Sequence, residues 1–163
     1  QRILELSTPE GDVRWLNKLI RTLEGSYGNT PHYQEVAPPL LDILSRHNGS
    51  ICATNIALTE CIAAMLGMKT RLVKSSELKV EGTSNQRLIN LTLAENGTTY
   101  LAGDGAEDYQ VIDLFKEAGL RLSKLGFQHP EYEQYSGRDF VPGLSVFDAL
   151  CCAGIENTGK MLL

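Results

Sequence analysis

The sequence has no basic surplus: its 163 residues carry 15 Lys and Arg against 20 Asp and Glu, a net charge of −5. A partner for a nucleic-acid backbone needs excess cations to neutralise phosphates, so that class is excluded. A local basic pocket for a single phosphate group remains compatible with the totals. No apolar run approaches the roughly 18 residues that cross a bilayer, and no secretory signal precedes the first strand-like run. No Cys-x-x-Cys pair occurs; Cys52, Cys61, Cys151 and Cys152 all lie in apolar helical surroundings. They read as buried thiols of a cytoplasmic protein. His32, His47 and His129 stand far apart with no paired carboxylates at helical spacing, so no metal is expected. Walker, G-x-G-x-x-G, H-E-x-x-H and G-x-S-x-G signatures are missing too, which removes the familiar catalytic classes. Repeats, low-complexity tracts and linker composition are also lacking, so residues 1–163 read as one α/β domain.

What is present is ordinary globular composition, 42% hydrophobic and 21% charged, enough for a real core. Arg2 to Ser7 alternates like a strand, or else Thr8 caps a helix with Pro9 at its first position. From Val13 the spacing of Trp15, Leu16, Leu19, Ile20 and Leu23 predicts a helix that Gly25 or Gly28 ends. Thr30-Pro31 restarts a helix, which Pro38-Pro39 is expected to interrupt. Ser50 to Leu66 is apolar nearly all round, the mark of a buried helix expected to lie against a sheet.

The organising stretch is Thr70 to Gly105. A short run (Thr70 to Ser76), a helix opened by Gln86-Arg87 and a second run (Thr98 to Gly105) read as a βαβ unit. A helix-length crossover makes its strands parallel. A further helix from about Gln110 to Ala118 leads to a third strand, Leu120 to Leu125, and Leu144 to Leu150 reads as a final buried helix. The expected fold is a three-layer α/β domain, a largely parallel sheet with helices on both faces, Rossmann-like.

Strand ends then converge on one edge, where open α/β sheets bind ligands. Ser75-Ser76-Glu77 offers hydroxyls for a phosphate or sugar and a carboxylate for an amine, or is a plain Ser-rich turn. Gly103-Asp104-Gly105 offers backbone N–H groups and one carboxylate, or a plain strand-to-helix turn. Arg87 follows a capping-box-like Thr83 to Gln86 and can reach a phosphate or a surface carboxylate. His129 is the His at this edge; it, Glu77 and Asp104 are the candidate general bases. Tyr109, Tyr132 and Gln134, with Ser75, Ser76, Arg87, Gly103 and Gly105, are the candidate substrate-binding residues.

An ordered series of short motifs resembles the WbqC-like proteins of bacterial polysaccharide gene clusters. It runs from Trp15, Thr22-Leu23 and Tyr27 through Pro31-His32-Tyr33, Asn55 to Leu58 and Leu66 to Thr70. It continues through Ser75 to Leu78, Gly82, Arg87 to Ile89, Tyr100 to Gly103, Gly105 and Tyr109. Phe127, Pro130, Tyr132, Gln134, Phe140 to Pro142, Leu144-Ser145 and Asp148 complete it. The chain departs from the pattern where members open with a strand, an Ile-His-Gln-Pro-like loop and a Trp-Leu strand, so part of the N-terminal region is expected to be missing. Leu19 also stands where members tend to carry His, and Ala102 where Ser is common.

The resemblance implies a role in O-antigen or related lipopolysaccharide glycans. It implies an acyl or aminoacyl (glycine) transferase acting on an amino-sugar nucleotide or glycan precursor. The opening that members share is similar to that of nucleotidyltransferase and pantothenate-synthetase folds, which implies ATP as co-substrate. A non-catalytic sugar- or nucleotide-binding partner of a glycosyltransferase, and a plain nucleotidyltransferase, are the alternatives.

Overall fold

The computed structural model describes residues 3–8, 13–47, 49–105, 110–135, 137 and 139–162. Among them are six helices, α1 (Arg14–Tyr27), α2 (Tyr33–Ser45), α3 (Ile51–Met65), α4 (Ser84–Ala94), α5 (Ile112–Glu117) and α6 (Val146–Met161). Two strands, β1 (Thr99–Ala102) and β2 (Arg121–Lys124), complete a mixed helix and strand architecture. The chain divides into two compact units, residues 1–70 with 129–163, and residues 71–128.

The first unit is helical and centred on α2. Tyr33, Val36, Ala37, Leu40 and Leu44 recur at helical spacing, and all are buried. Leu150 and Cys151 of α6 close onto them, with Tyr27 of α1 and Leu58, Ile62 and Met65 of α3 alongside. Burying one such large apolar side chain stabilises by about 1.5–3 kcal/mol, so this cluster is what holds the four helices together. The expected break at Pro38-Pro39 does not occur: α2 runs through both prolines. Each removes an N–H from the ladder, but both are exposed, so the carbonyls they strand face water.

Three further expectations are corrected here. Ile3–Glu5 is a 3-10 turn rather than a strand, and Ser7 makes only a single antiparallel bridge to Ser50. α3 packs on α2 and that turn, and Thr54 is its only buried residue, so it is a half-covered helix rather than the expected buried one. The last helix runs well past Leu150 to Met161 and is broken at Gly154, whose φ of 82° and ψ of 168° suit glycine alone.

The second unit carries the sheet. β1 and β2 are parallel, Thr99 opposite Arg121 through Ala102 opposite Lys124, and α5 is the crossover between them. The expected first strand is not formed: residues 71–74 are exposed and unpaired in any ladder, and Arg71 instead ion-pairs with Glu95 just beyond α4. A run of Leu72 and Val73 supplies apolar surface but no partner, and pairing makes a strand. Ile89 of α4, Phe115 of α5 and Leu120 form the core, with Tyr100 and Leu122 from the strands packed against it. Both helices therefore lie on one face of the sheet, while Leu101 on the alternate side of β1 leaves 57% of its surface exposed.

Helices α3, α4 and α5 stop in the same way. In each, two N–H groups beyond the end return to carbonyls of the last turn: Met68 to Ala63 and Gly67 to Ala64, Gly97 to Thr92 and Asn96 to Leu93, Leu120 to Phe115 and Gly119 to Lys116. Gly67, Asn96 and Gly119 supply the left-handed backbone this closure requires.

Candidate functional site

In the second unit the carboxyl ends of β1 and β2 are joined by one side chain. Asp104 Oδ1 accepts the Gly126 N–H at 3.1 Å, and Oδ2 accepts the Phe127 N–H at 2.9 Å. The loop after β1 thus grips the loop after β2, so two of the strand-end loops expected to share an edge do so. Gly105 and Gly126 have φ of +89° and +61°, which lets both loops turn sharply there. Gly103 beside them has open space where a side chain would stand.

The other candidates of this unit hold their own segments. Ser75, Ser76 and Glu77 lie in an exposed turn, with the Glu77 N–H on the Lys74 carbonyl at 2.9 Å and the two side chains 3.5 Å apart. Arg87 donates to the Val80 carbonyl at 2.7 Å, which fastens the approach to α4. Asn85 receives the Val111 N–H at 3.2 Å and so ties α4 to the start of α5. Tyr109 lies outside the described residues.

His129, Tyr132 and Gln134 belong to the first unit. His129 is exposed beside Gly143. Gln134 is buried and braces its loop from both ends of one amide, donating to the Val141 carbonyl and accepting the Val141 N–H, each at 2.9 Å. Tyr132 donates its phenol proton to Asp148 Oδ2 at 2.6 Å. Sequence reasoning missed the centre of this cluster, Asp148. It lies three residues after Ser145, whose Oγ caps α6 by accepting the Phe147 N–H at 3.3 Å, and it is 5% exposed. That cap-plus-three spacing, with Tyr132 and Asp148 both in the matching motif series, was the available signal.

Tyr27 of α1 stands near enough to Asp148 to feel its charge, so two phenols neighbour one buried carboxylate. Burial first, then the Asp148 charge, pushes the Tyr27 phenol from 10.0 to about 12. Burial and then the Asp148 hydrogen bond push Tyr132 up to about 12 as well. One helical turn further along, burial and the neighbouring Cys152 raise the Cys151 thiol from 9.0 to about 11. Such a thiol is protonated and inert at neutral pH, as the sequence led one to expect of a buried cysteine.

Two histidines complete the unit. The His32 ring lies where a side chain on Gly154 would be, 2.8 to 3.0 Å from an added Cβ, and its Nδ1 stands 3.6 Å from Glu35 Oε2. The His32 N–H also donates to the Cys151 carbonyl at 3.1 Å. His47 bridges three segments: Nδ1 meets Thr54 Oγ1 at 2.7 Å, Nε2 meets Thr8 Oγ1 at 3.0 Å, and Trp15 packs edge-on. Because Thr54 gives its own proton to the Ser50 carbonyl, it accepts from Nδ1–H of His47.

Among the described residues, no group of three or more His, Cys, Asp or Glu could hold a metal ion. Among them, too, no helix is long and apolar enough to cross a membrane. The structure thus defines a mixed helix and strand protein whose polar side chains fasten loops at helix starts and strand ends. The chain belongs to the WbqC-like protein family, which matches residues 1–160. No curated protein and no solved structure matches it.

Proposed function

We propose that the chain is a cytoplasmic acyl or aminoacyl transferase acting on an amino-sugar nucleotide or glycan precursor of a surface polysaccharide. The observation that carries this reading is membership of the WbqC-like family. ATP is the co-substrate: the donor carboxylate attacks its α-phosphorus, an acyl adenylate forms and pyrophosphate leaves. The sugar amine then attacks the acyl carbon, a C–N bond forms, the C–O bond to the phosphate breaks, and a general base takes the amine proton. Glu77 and His129 are the candidates for that base. Asp104, with both oxygens on backbone amides, shapes the loops with Gly103 and Gly105. Ser75, Ser76 and Arg87 are the candidate substrate contacts of the second unit, and Tyr132 and Gln134 fix the loop of the first unit that carries His129. In this reading residues 1–163 form one α/β domain in which β1 and β2 are part of a larger three-layer, Rossmann-like sheet.

A non-catalytic sugar- or nucleotide-binding role is the second reading, and one observation favours it. Asp104 and Arg87 of the second unit both hold protein groups, as in a recognition surface built for shape. The two readings part in one assay with ATP, glycine and a nucleotide-linked amino sugar. Amide formation with AMP release, lost in Glu77→Gln or His129→Ala, supports transfer. Stoichiometric binding without product supports the binding role, and pyrophosphate release without any amino acid would instead mark a nucleotidyltransferase.

A further inference from the structure

Asn96 joins α4 to β1. Its backbone has a φ of 56°, the left-handed conformation that ends α4. Its N–H donates to the Leu93 carbonyl at 2.9 Å, and the Gly97 N–H donates to the Thr92 carbonyl at 2.8 Å. Immediately beyond, the Thr98 carbonyl accepts the Arg121 N–H at 3.0 Å, a rung at the start of the pairing of β1 with β2. The Asn96 side chain is exposed, and among the described residues it makes no hydrogen bond. Glycine follows it, as it follows only Asn48 among the other asparagines. The amide carbon of an asparagine lies within reach of the next backbone nitrogen, and a glycine there, having no Cβ, leaves that approach open.

We propose that Asn96 is a site of spontaneous deamidation, gated by the closure of α4, and that its product loosens the entry into the sheet. The Gly97 nitrogen gives its proton to hydroxide and attacks Asn96 Cγ. The N–Cγ bond forms, the Cγ–Nδ2 bond breaks, and ammonia leaves with a proton from water, which regenerates the hydroxide. Water then opens the five-membered succinimide on either side. Cleavage of the N–Cγ bond leaves aspartate, and cleavage between the nitrogen and the Asn96 carbonyl carbon leaves isoaspartate. While the Gly97 N–H is held by the Thr92 carbonyl its proton is engaged, so the reaction waits on fraying of the last turn. Both products add a negative charge beside Glu95 at the carbonyl end of α4, where the helix dipole disfavours it. Isoaspartate also inserts one extra carbon into the main chain, so the two closing bonds and the Thr98–Arg121 rung no longer fit together. The site uses none of the residues assigned to transfer and does not depend on that reading.

The test is ageing of the full 163-residue chain in mildly alkaline buffer, folded and in guanidinium chloride, with Asn96 followed by peptide mass mapping. Methylation by an isoaspartyl methyltransferase reports the isoaspartate. Conversion is expected in the folded chain, about tenfold slower than in the unfolded one and faster than at Asn90 or Asn157, which precede larger residues. Thr92→Gly weakens the last turn of α4 and should speed conversion about twofold in the folded chain while leaving the unfolded rate unchanged. Hydrogen exchange at the Arg121 amide should quicken as the parent ages. It should stay constant in Asn96→Gly, which keeps the left-handed turn and has no side-chain amide. Conversion of Asn96 in the folded chain no faster than Asn90 or Asn157, or as fast as in the unfolded chain, would overturn the proposal. Arg121 exchange that changes alike in the parent and Asn96→Gly would overturn it as well.

Discussion

Two aspartates hold loops in this protein by different means. Asp104 grips the Gly126 and Phe127 amides at an exposed edge of the second unit. Asp148, buried in the first unit, accepts the Tyr132 phenol proton and lies near Tyr27. The exposed carboxylate competes with water for its partners, so each bond has a small net worth. The buried one has left water behind, and removing either side strands a polar group in apolar surroundings. Similar connectivity therefore carries unequal weight, set by burial rather than by bond count.

Asp148→Ala tests this most severely, since it orphans the Tyr132 phenol and empties a buried volume. A loss of about 3 kcal/mol is expected by urea unfolding, and a loss under 1 kcal/mol would remove the distinction between the two aspartates. Gly154→Ala is expected to lose about 2 kcal/mol, because the added methyl meets the His32 ring and the backbone there suits glycine alone. Thermal unfolding of Gly154→Ala beside Gly103→Ala, where space is open, would show whether tightness is confined to the first unit.

The next effect is one of pH. Tyr27 and Tyr132 stand at about 12 against an ordinary 10, and Cys151 at about 11 against 9. The unfolded chain loses these protons first, so the stabilisation is complete below about pH 9 and disappears as pH rises through 11 to 12. The thermal midpoint should fall over that window, and phenolate absorbance should show two tyrosines ionising late. Tyr132→Phe should remove one of those late tyrosines and flatten the fall, while an unchanged titration would separate Tyr132 from Asp148.

Thr158 is 2% exposed, and its hydroxyl is the one buried side-chain group without a partner among the described residues. Thr158→Val should therefore raise stability, by about 1 kcal/mol in urea; a decrease would reveal a partner for that hydroxyl. Asp104→Ala should cost least, about 0.5 kcal/mol, with its effect confined to faster amide exchange at Gly126 and Phe127. A larger loss would mean that the exposed clamp is worth as much as the buried one.

Local pattern was legible in the sequence, and pairing was not. The apolar spacing of α1, the helices starting near Ser50 and ending near Ala118, and the strand at 121–124 all follow from neighbours within a few residues. The run at 71–74 looked like a strand because its composition suits one, yet a ladder needs a distant partner that composition does not specify. Pro38-Pro39 misled for the opposite reason, since local chemistry argued for a break that packing of Val36, Ala37 and Leu40 overrides. At the candidate sites, Gly103 to Gly105 and the loop after β2 were placed on one edge from strand direction alone. Asp148 escaped notice because an Asp in an apolar helix announces neither burial nor the phenol that reaches it from a remote position.

The uninterrupted passage of α2 through two prolines has a consequence for the order in which this protein assembles. With no amide on Pro38 or Pro39, the central rungs of α2 cannot propagate along the backbone. As an excised peptide it would be coil. The helix at the heart of the first unit is thus a product of assembly rather than a seed for it, a mould filled by α3 and α6 instead of a rod on which they gather.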